Sequence, residues 1–201
     1  MLILTSNGLS SNKLLENTRN RISNCSKAVI VTTASVGYKE NDRHIPRLIS
    51  ELESLNLSVD FFDFDIDNPY ELLKYDIVEI NGGNPFYLLK SINVSQCKDI
   101  LNEIADKRVL IGISAGSIVL QKNIDLIAQY SPEMNDEVLL SDFKGLGITH
   151  LQILPHYSRF ISRFASFEER AKQFEVENNC HVIRIDDGQG IFISGNVIEI
   201  I

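Results

Sequence analysis

Residues 27–33 (KAVIVTT) and 108–113 (RVLIGI) are apolar at consecutive positions. A strand of that kind has to be covered on both of its faces. Few architectures meet this requirement, and the surrounding pattern selects one of them. Residues 1–5 (MLILT), 58–64 and 75–80 (YDIVEI) read as further strands. Between the strands, apolar residues recur at helical spacing: Leu14, Leu15, Thr18 and Ile22; Ile45, Leu48, Ile49, Leu52 and Leu55; Cys97, Ile100, Leu101 and Ile104. Strands that alternate with helices in this way form parallel βαβ units, so the expected fold class is α/β, a three-layer sandwich with a mainly parallel sheet.

The second half is read less evenly. Asp125–Tyr130 is expected as a short strand, residues 131–142 as a loop, and residues 145–154 (GLGITHLQIL) as a strand ending at Pro155-His156. Phe160, Phe164, Phe167, Ala171 and Phe174 fall on one helical stripe and read as core. Residues 181–185 and 191–194 are expected as strands. Gly195-Asn196 is a two-residue turn signal, so the chain should close with an antiparallel hairpin. No linker, repeat or low-complexity tract interrupts residues 1–201, which read as a single domain.

Composition excludes several function classes. The formal charge is −8 and the calculated pI about 5.0, with no local basic patch, so no nucleic-acid partner is expected. Cys25, Cys97 and Cys180 are scattered and lack C-x-x-C spacing, which argues against a disulfide framework or metal site and suits a reducing compartment. The start MLILTS lacks the shape of a leader, and no stretch approaches the ~20 apolar residues of a membrane span. A cytoplasmic protein with no membrane partner is expected.

In parallel α/β sheets, ligands sit at the carboxyl ends of the strands. Two glycine-rich turns fall there. Gly112-Ile113-Ser114-Ala115-Gly116 fits G-x-S-x-G, a serine on a sharp strand-to-helix turn. That pattern alone leaves a nucleophile and a plain small-residue turn about level. Asn81-Gly82-Gly83-Asn84-Pro85 precedes a helix and offers free backbone N–H groups to an anion. Neither G-x-G-x-x-G nor G-x-x-x-x-G-K occurs, so dinucleotide and P-loop cofactors are not expected.

A serine needs a base, and the base needs an orienting group. Of His44, His150, His156 and His181, the one that follows Pro155 at a strand end is best placed, so His156 is the expected base. Asp187, in a turn after a strand, is the favoured acid; Asp186, Asp125, Asp136 and Asp142 stay open. Rival readings are an α/β-hydrolase-type esterase that uses Ser114 and His181, and a non-catalytic module that binds a small anion.

NGGNPFYLL, then GISAGS, then GLG…LPHY, in that order, resembles the peptidase E family, the aspartyl dipeptidases to which cyanophycinase is related. The resemblance implies a fold akin to class I glutamine amidotransferases, with Ser114 as nucleophile, His156 as general base and backbone N–H groups of Gly83 and Ala115 as oxyanion donors. It places the acid in a late acidic-Gly turn, matched by Asp187-Gly188, although some assignments put it between the serine and histidine motifs. It further implies dipeptide substrates with an N-terminal aspartate, bound near Gly82 and Asn84, with Arg170 as the substrate-binding arginine; Arg159 and Arg163 share that helix. Neither a metal nor an organic cofactor is required. A homodimer, if one forms, would use the exposed edge of the C-terminal hairpin.

Overall fold

The computed structural model describes residues 1–201. In chain order its elements are β1 (Leu2–Thr5), α1 (Asn12–Arg21), β2 (Lys27–Val31), α2 (Ile45–Glu53), β3 (Ser58–Phe62), β4 (Ile77–Ile80), α3 (Pro85–Val94), α4 (Lys98–Lys107) and β5 (Val109–Ile113). There follow α5 (Ala115–Val119), α6 (Asp125–Tyr130), β6 (Gln152–Leu154), α7 (Tyr157–Arg163), α8 (Phe167–Asn178), β7 (Val182–Arg184), β8 (Gly190–Ser194) and β9 (Val197–Ile200). The main sheet has the order β3-β2-β4-β5-β1-β8-β9. Its first five strands are parallel; β8 and β9 add the expected antiparallel hairpin.

The apolar runs are explained by two separate cores. Along β2, Ala28 and Ile30 face α1 and α2 together with Ile3, Ile77 and Ile111, while Val29 and Val31 face α3 and α4 together with Val78, Ile80 and Leu110. Ala28 to Val31 are therefore all interior, at about 1.5–3 kcal/mol of burial for each large side chain. No helix is long and apolar enough to cross a membrane.

Three expectations fail in the second half. Asp125–Tyr130 is the helix α6, not a strand: Leu126, Ile127 and Tyr130 are the buried positions, one face of a helical turn that a six-residue window does not separate from a strand. Only Gln152–Leu154 of residues 145–154 is extended, because the N–H groups of Leu146, Gly147 and Thr149 turn back onto the carbonyls of Val119, Gln121 and Leu120 that α5 leaves unsatisfied. The phenylalanine stripe spans two helices, broken where Ser166 takes a positive φ of 52°. The rings still form one cluster, with Phe160 stacked on both Phe164 and Phe167 beside Tyr130.

Strands β6 and β7 form a second, parallel pair in the register Gln152↔Val182. Gln121 docks this pair: its side chain accepts from the Ile153 N–H at 3.0 Å and donates to the Ile153 carbonyl at 3.3 Å, as a neighbouring strand would. Because the two strands run the same way, the segments that leave them, Pro155-His156 and Asp186-Asp187, emerge side by side.

Candidate active site

Register places the site. Thr5 pairs with Ile113 and Ile80 with Gly112, so the next residues along β1, β5 and β4, namely Ser6, Ser114 and the Asn81-Gly82 turn, share one edge of the sheet. His156 and Asp187 arrive from the second strand pair.

Ser114 has φ 49° and ψ −108°, a conformation that costs on the order of 1–3 kcal/mol in a non-glycine residue. The neighbours hold it there. The Ser114 N–H donates to the Thr5 carbonyl at 2.9 Å. The buried Ser117 hydroxyl donates to the Gly112 carbonyl at 2.6 Å and accepts from the Thr5 N–H at 3.1 Å, cross-linking the turn to β1. Gly116 is required by close approach, since a Cβ there would lie 2.1 Å from the Ile80 carbonyl oxygen.

His156 Nε2 lies 2.9 Å from Ser114 Oγ, and its Nδ1 lies 2.6 Å from Asp187 Oδ1. An ionised Asp187 holds the Nδ1 proton, leaving the Nε2 lone pair for the serine proton. Burial pushes the His156 imidazole below its ordinary value, partly offset by the hydrogen bond and charge of Asp187. For Asp187, burial raises the carboxyl, and hydrogen bonds from Ser6, Arg159 and His156 outweigh that effect to leave it low. Both groups are thus in the state that proton abstraction needs at neutral pH: a neutral imidazole beside a carboxylate.

Ser6 is a residue that sequence reasoning missed. Its hydroxyl donates to Asp187 Oδ1 at 2.7 Å, accepts from the His156 backbone N–H at 2.9 Å, and lies 3.0 Å from Nδ1. The whole exit of β1 grips the late turn, because Asn7 Oδ1 accepts from the Gly188 N–H at 3.1 Å and Ser11 donates to the Gly188 carbonyl at 2.8 Å. The available signal was positional: a serine one residue past a strand that neighbours the Ser114 strand. Ser6→Ala removes a charge-assisted hydrogen bond worth about 1.5–3 kcal/mol. Under a Ser114-His156-Asp187 mechanism kcat should fall about 10- to 100-fold, with KM little changed. Steady-state kinetics check this, and an unaltered kcat would remove Ser6 from the site.

The other expected residues divide. Gly83 takes a φ of 144°, and a Cβ on it would fall 2.1 Å from the Ala34 carbonyl oxygen. Its N–H makes no hydrogen bond within the chain. Ala115 opens α5, so its N–H has no intrahelical acceptor. Gly82 sits against the serine, with a Cβ there only 3.2 Å from Ser114 Cβ. Asn84 is committed elsewhere: Oδ1 caps α3 by accepting from Phe86 and Tyr87, and Nδ2 donates to the Met134 carbonyl. Arg170 does not reach the site. Its guanidinium donates to the Gln129 carbonyl and lies over the Tyr130 ring, 4.5 Å from the centroid. Arg163 lies 3.8 Å from Glu133.

No alternative partner competes. His181 is exposed and pairs with Glu175 at 3.1 Å, away from Ser114. Asp186 accepts from the Ser158 N–H, Asp142 from the Lys144 N–H, Asp125 opens α6, and Asp136 lines a neighbouring cavity of about 620 Å³. Of these, none bonds His156.

Ser114, His156, Gly82 and Gly83 line a cavity of about 410 Å³, within the range of small-molecule sites. Gly83 also borders the larger cavity. What the smaller one can do is acyl transfer: a hydroxyl with a base, an orienting acid and two free N–H donors.

The chain is similar to several known proteins along most of its length. The sequence is 30% identical over 154 residues to an uncharacterised peptidase of Listeria monocytogenes serovar 1/2a, covering 73% of this chain and 72% of that one. It is 23% identical to "Probable alpha-aspartyl dipeptidase" of Drosophila melanogaster over 97% of this chain and 83% of the other, and 28% identical to "Peptidase E" of a Nostoc strain over 85% and 68%. Among solved structures, a candidate peptidase E protein of Listeria monocytogenes EGD-e superposes with a TM-score of 0.76 at 25% identity, covering 99% of this chain and 96% of that chain. A peptidase from an acI-B1 Actinobacterium shares the fold with a TM-score of 0.74 at 21% identity, covering 100% and 86%. The model of peptidase family S51 matches residues 2–201, glycine turns and Pro-His included, and the chain belongs to that family.

Proposed function

We propose that this peptidase is a serine-type dipeptidase that hydrolyses dipeptides with an N-terminal aspartate through an acyl-enzyme on Ser114. The observation that carries the reading is the continuous line Ser114 Oγ, His156 Nε2, His156 Nδ1, Asp187 Oδ1, with separations of 2.9 and 2.6 Å across its two hydrogen bonds.

His156 Nε2 takes the Ser114 proton as Oγ forms a bond to the peptide carbonyl carbon. The oxygen of that carbonyl gathers negative charge, which the Gly83 and Ala115 N–H groups stabilise. Collapse breaks the C–N bond, and the leaving amine receives the proton from Nε2. A water molecule, deprotonated in turn by His156, attacks the ester and releases the aspartyl acid, returning the proton to Ser114. Asp187 stays ionised throughout and stabilises the imidazolium.

The aspartyl preference is supported by the name of the Drosophila relative and by the cationic lining of the Ser114 cavity. A panel of X-Leu dipeptides that varies the first residue tests it. Asp-Leu should give the highest kcat/KM by at least about 10-fold over Asn-Leu, the value of one charge-assisted contact. A flat profile would remove the aspartyl specificity, and turnover of longer peptides at the same rate would remove the dipeptidase reading.

A further inference from the structure

The chain carries a net charge of −8, yet the wall of the Ser114 cavity is cationic: Arg43, Arg47 and Arg159 line it, with Asp42 the one carboxylate among the lining residues. Most of these charges are already matched. Arg47 pairs with Glu51 one turn on, and Arg159 pairs with Asp187. Asp42 is occupied too, accepting from the Ser35 hydroxyl at 2.5 Å and from the His44 N–H at 2.8 Å.

Arg43 is different. It pairs with no carboxylate, and its Nε donates to His44 Nε2 at 3.1 Å, which leaves the terminal N–H groups free. The backbone around it is anchored, since the Asp42 side chain closes on the His44 N–H and the Asp42 carbonyl accepts from the Ile45 N–H at 3.0 Å. A planar guanidinium held at the mouth of a cavity is a bidentate receptor for a carboxylate.

We propose that Arg43, at the entry to α2, is the residue that reads a substrate carboxylate, in place of Arg170. The proposal rests on the hydrolytic reading of Ser114 given above and adds the specificity element to it. An aspartyl dipeptide offers two carboxylates, the side chain of the first residue and the free C-terminus of the second, and either one fits a guanidinium in the same way. Arg170, tied to Gln129 and Tyr130 on another face, serves as the control.

The test measures kcat/KM for wild type, Arg43→Ala and Arg170→Ala on Asp-Leu, Asn-Leu and Asp-Leu amide. Arg43 is exposed, so its loss leaves the fold intact, which the thermal midpoint checks. Arg43→Ala should lose about 10- to 100-fold on Asp-Leu, and Arg170→Ala should match wild type. If Asn-Leu escapes the loss, the side-chain carboxylate is the one read; if the amide escapes it, the terminal carboxylate is. Equal loss on all three substrates, no preference among them in wild type, or selective loss in Arg170→Ala overturns the proposal. Should wild type cleave none of them, the hydrolytic reading fails by itself. Calorimetric titration of succinate into Ser114→Ala, with and without Arg43→Ala, then decides the subsite: weaker binding in the double variant supports it, and equal or absent binding overturns it.

Discussion

Ser114→Ala should lower kcat/KM on the best dipeptide by roughly 10⁴- to 10⁶-fold, the range in which loss of a triad nucleophile falls. Under the proposed mechanism no other group can take the acyl bond, and the N–H donors at Gly83 and Ala115 preserve only residual catalysis. The fold should not suffer. Alanine keeps the same strained backbone, anchored by the Thr5 carbonyl and by Ser117, and the Oγ removed makes a single bond of about 1 kcal/mol, to His156. A shift in Tm of at most about 2–4 °C follows. His156→Ala should be comparably inactive, and the double variant no worse than either, because the two act as one unit. A fluorophosphonate probe should label wild type at Ser114 and leave Ser114→Ala unmodified. Retained hydrolysis in Ser114→Ala would end the acyl-enzyme reading, whatever the labelling shows.

Much of this arrangement was legible in the sequence because it is local. A run such as KAVIVTT states its own two-sided burial, and G-x-S-x-G states a sharp strand-to-helix turn that needs small residues. Ser114, His156 and Asp187 each lie within three residues of the end of a strand, and strand ends are where parallel sheets gather side chains. The failures share a different cause. Arg170 lies at a spacing after His156 that suits the site, but the break at Ser166 redirects the helix that carries it. Ser6 reaches the site through the neighbouring of β1 and β5, strands more than a hundred residues apart. Arg43 comes to the cavity from the β2–α2 connection, across the sheet from the His156 segment. Local pattern identifies which residues turn toward a strand end; sheet order decides which strand ends meet.

Replacing Glu79 should make the protein more stable, increasingly so as pH rises. Glu79 lies in β4 between Ile30 of β2 and Ile111 of β5, on a central strand with no exposure. Neither carboxyl oxygen has a hydrogen-bond partner. Burial, and the nearby charge of Glu51, push its pKa from 4.5 up to about 8 against the opposing pull of Arg47. The unfolded chain ionises this group near 4.5, whereas the folded chain keeps it protonated, so between those values folding must take up a proton. Stability contributed by the protonated form is therefore complete below pH 4.5 and is lost as pH rises toward 8. At about 1.4 kcal/mol per pH unit the loss is at most about 5 kcal/mol, an upper limit because a charged carboxylate would draw in water or relax. Glu79→Met keeps the volume and removes the titration, without the unsatisfied N–H donors that Gln would bury. Urea unfolding at pH 5, 7 and 9 should show the variant gaining on wild type by several kcal/mol across the series, with the smallest gap at pH 5. Parallel pH profiles would mean that Glu79 ionises in the folded protein as readily as in water. The consequence reaches the active site, because Glu51, the charge that raises Glu79, also accepts from the Leu9 N–H at 2.8 Å and pairs with Arg47 of the cavity wall. A charged Glu79 would thus repel the carboxylate that fastens the loop beyond Ser6, and activity lost at alkaline pH in wild type should persist in Glu79→Met.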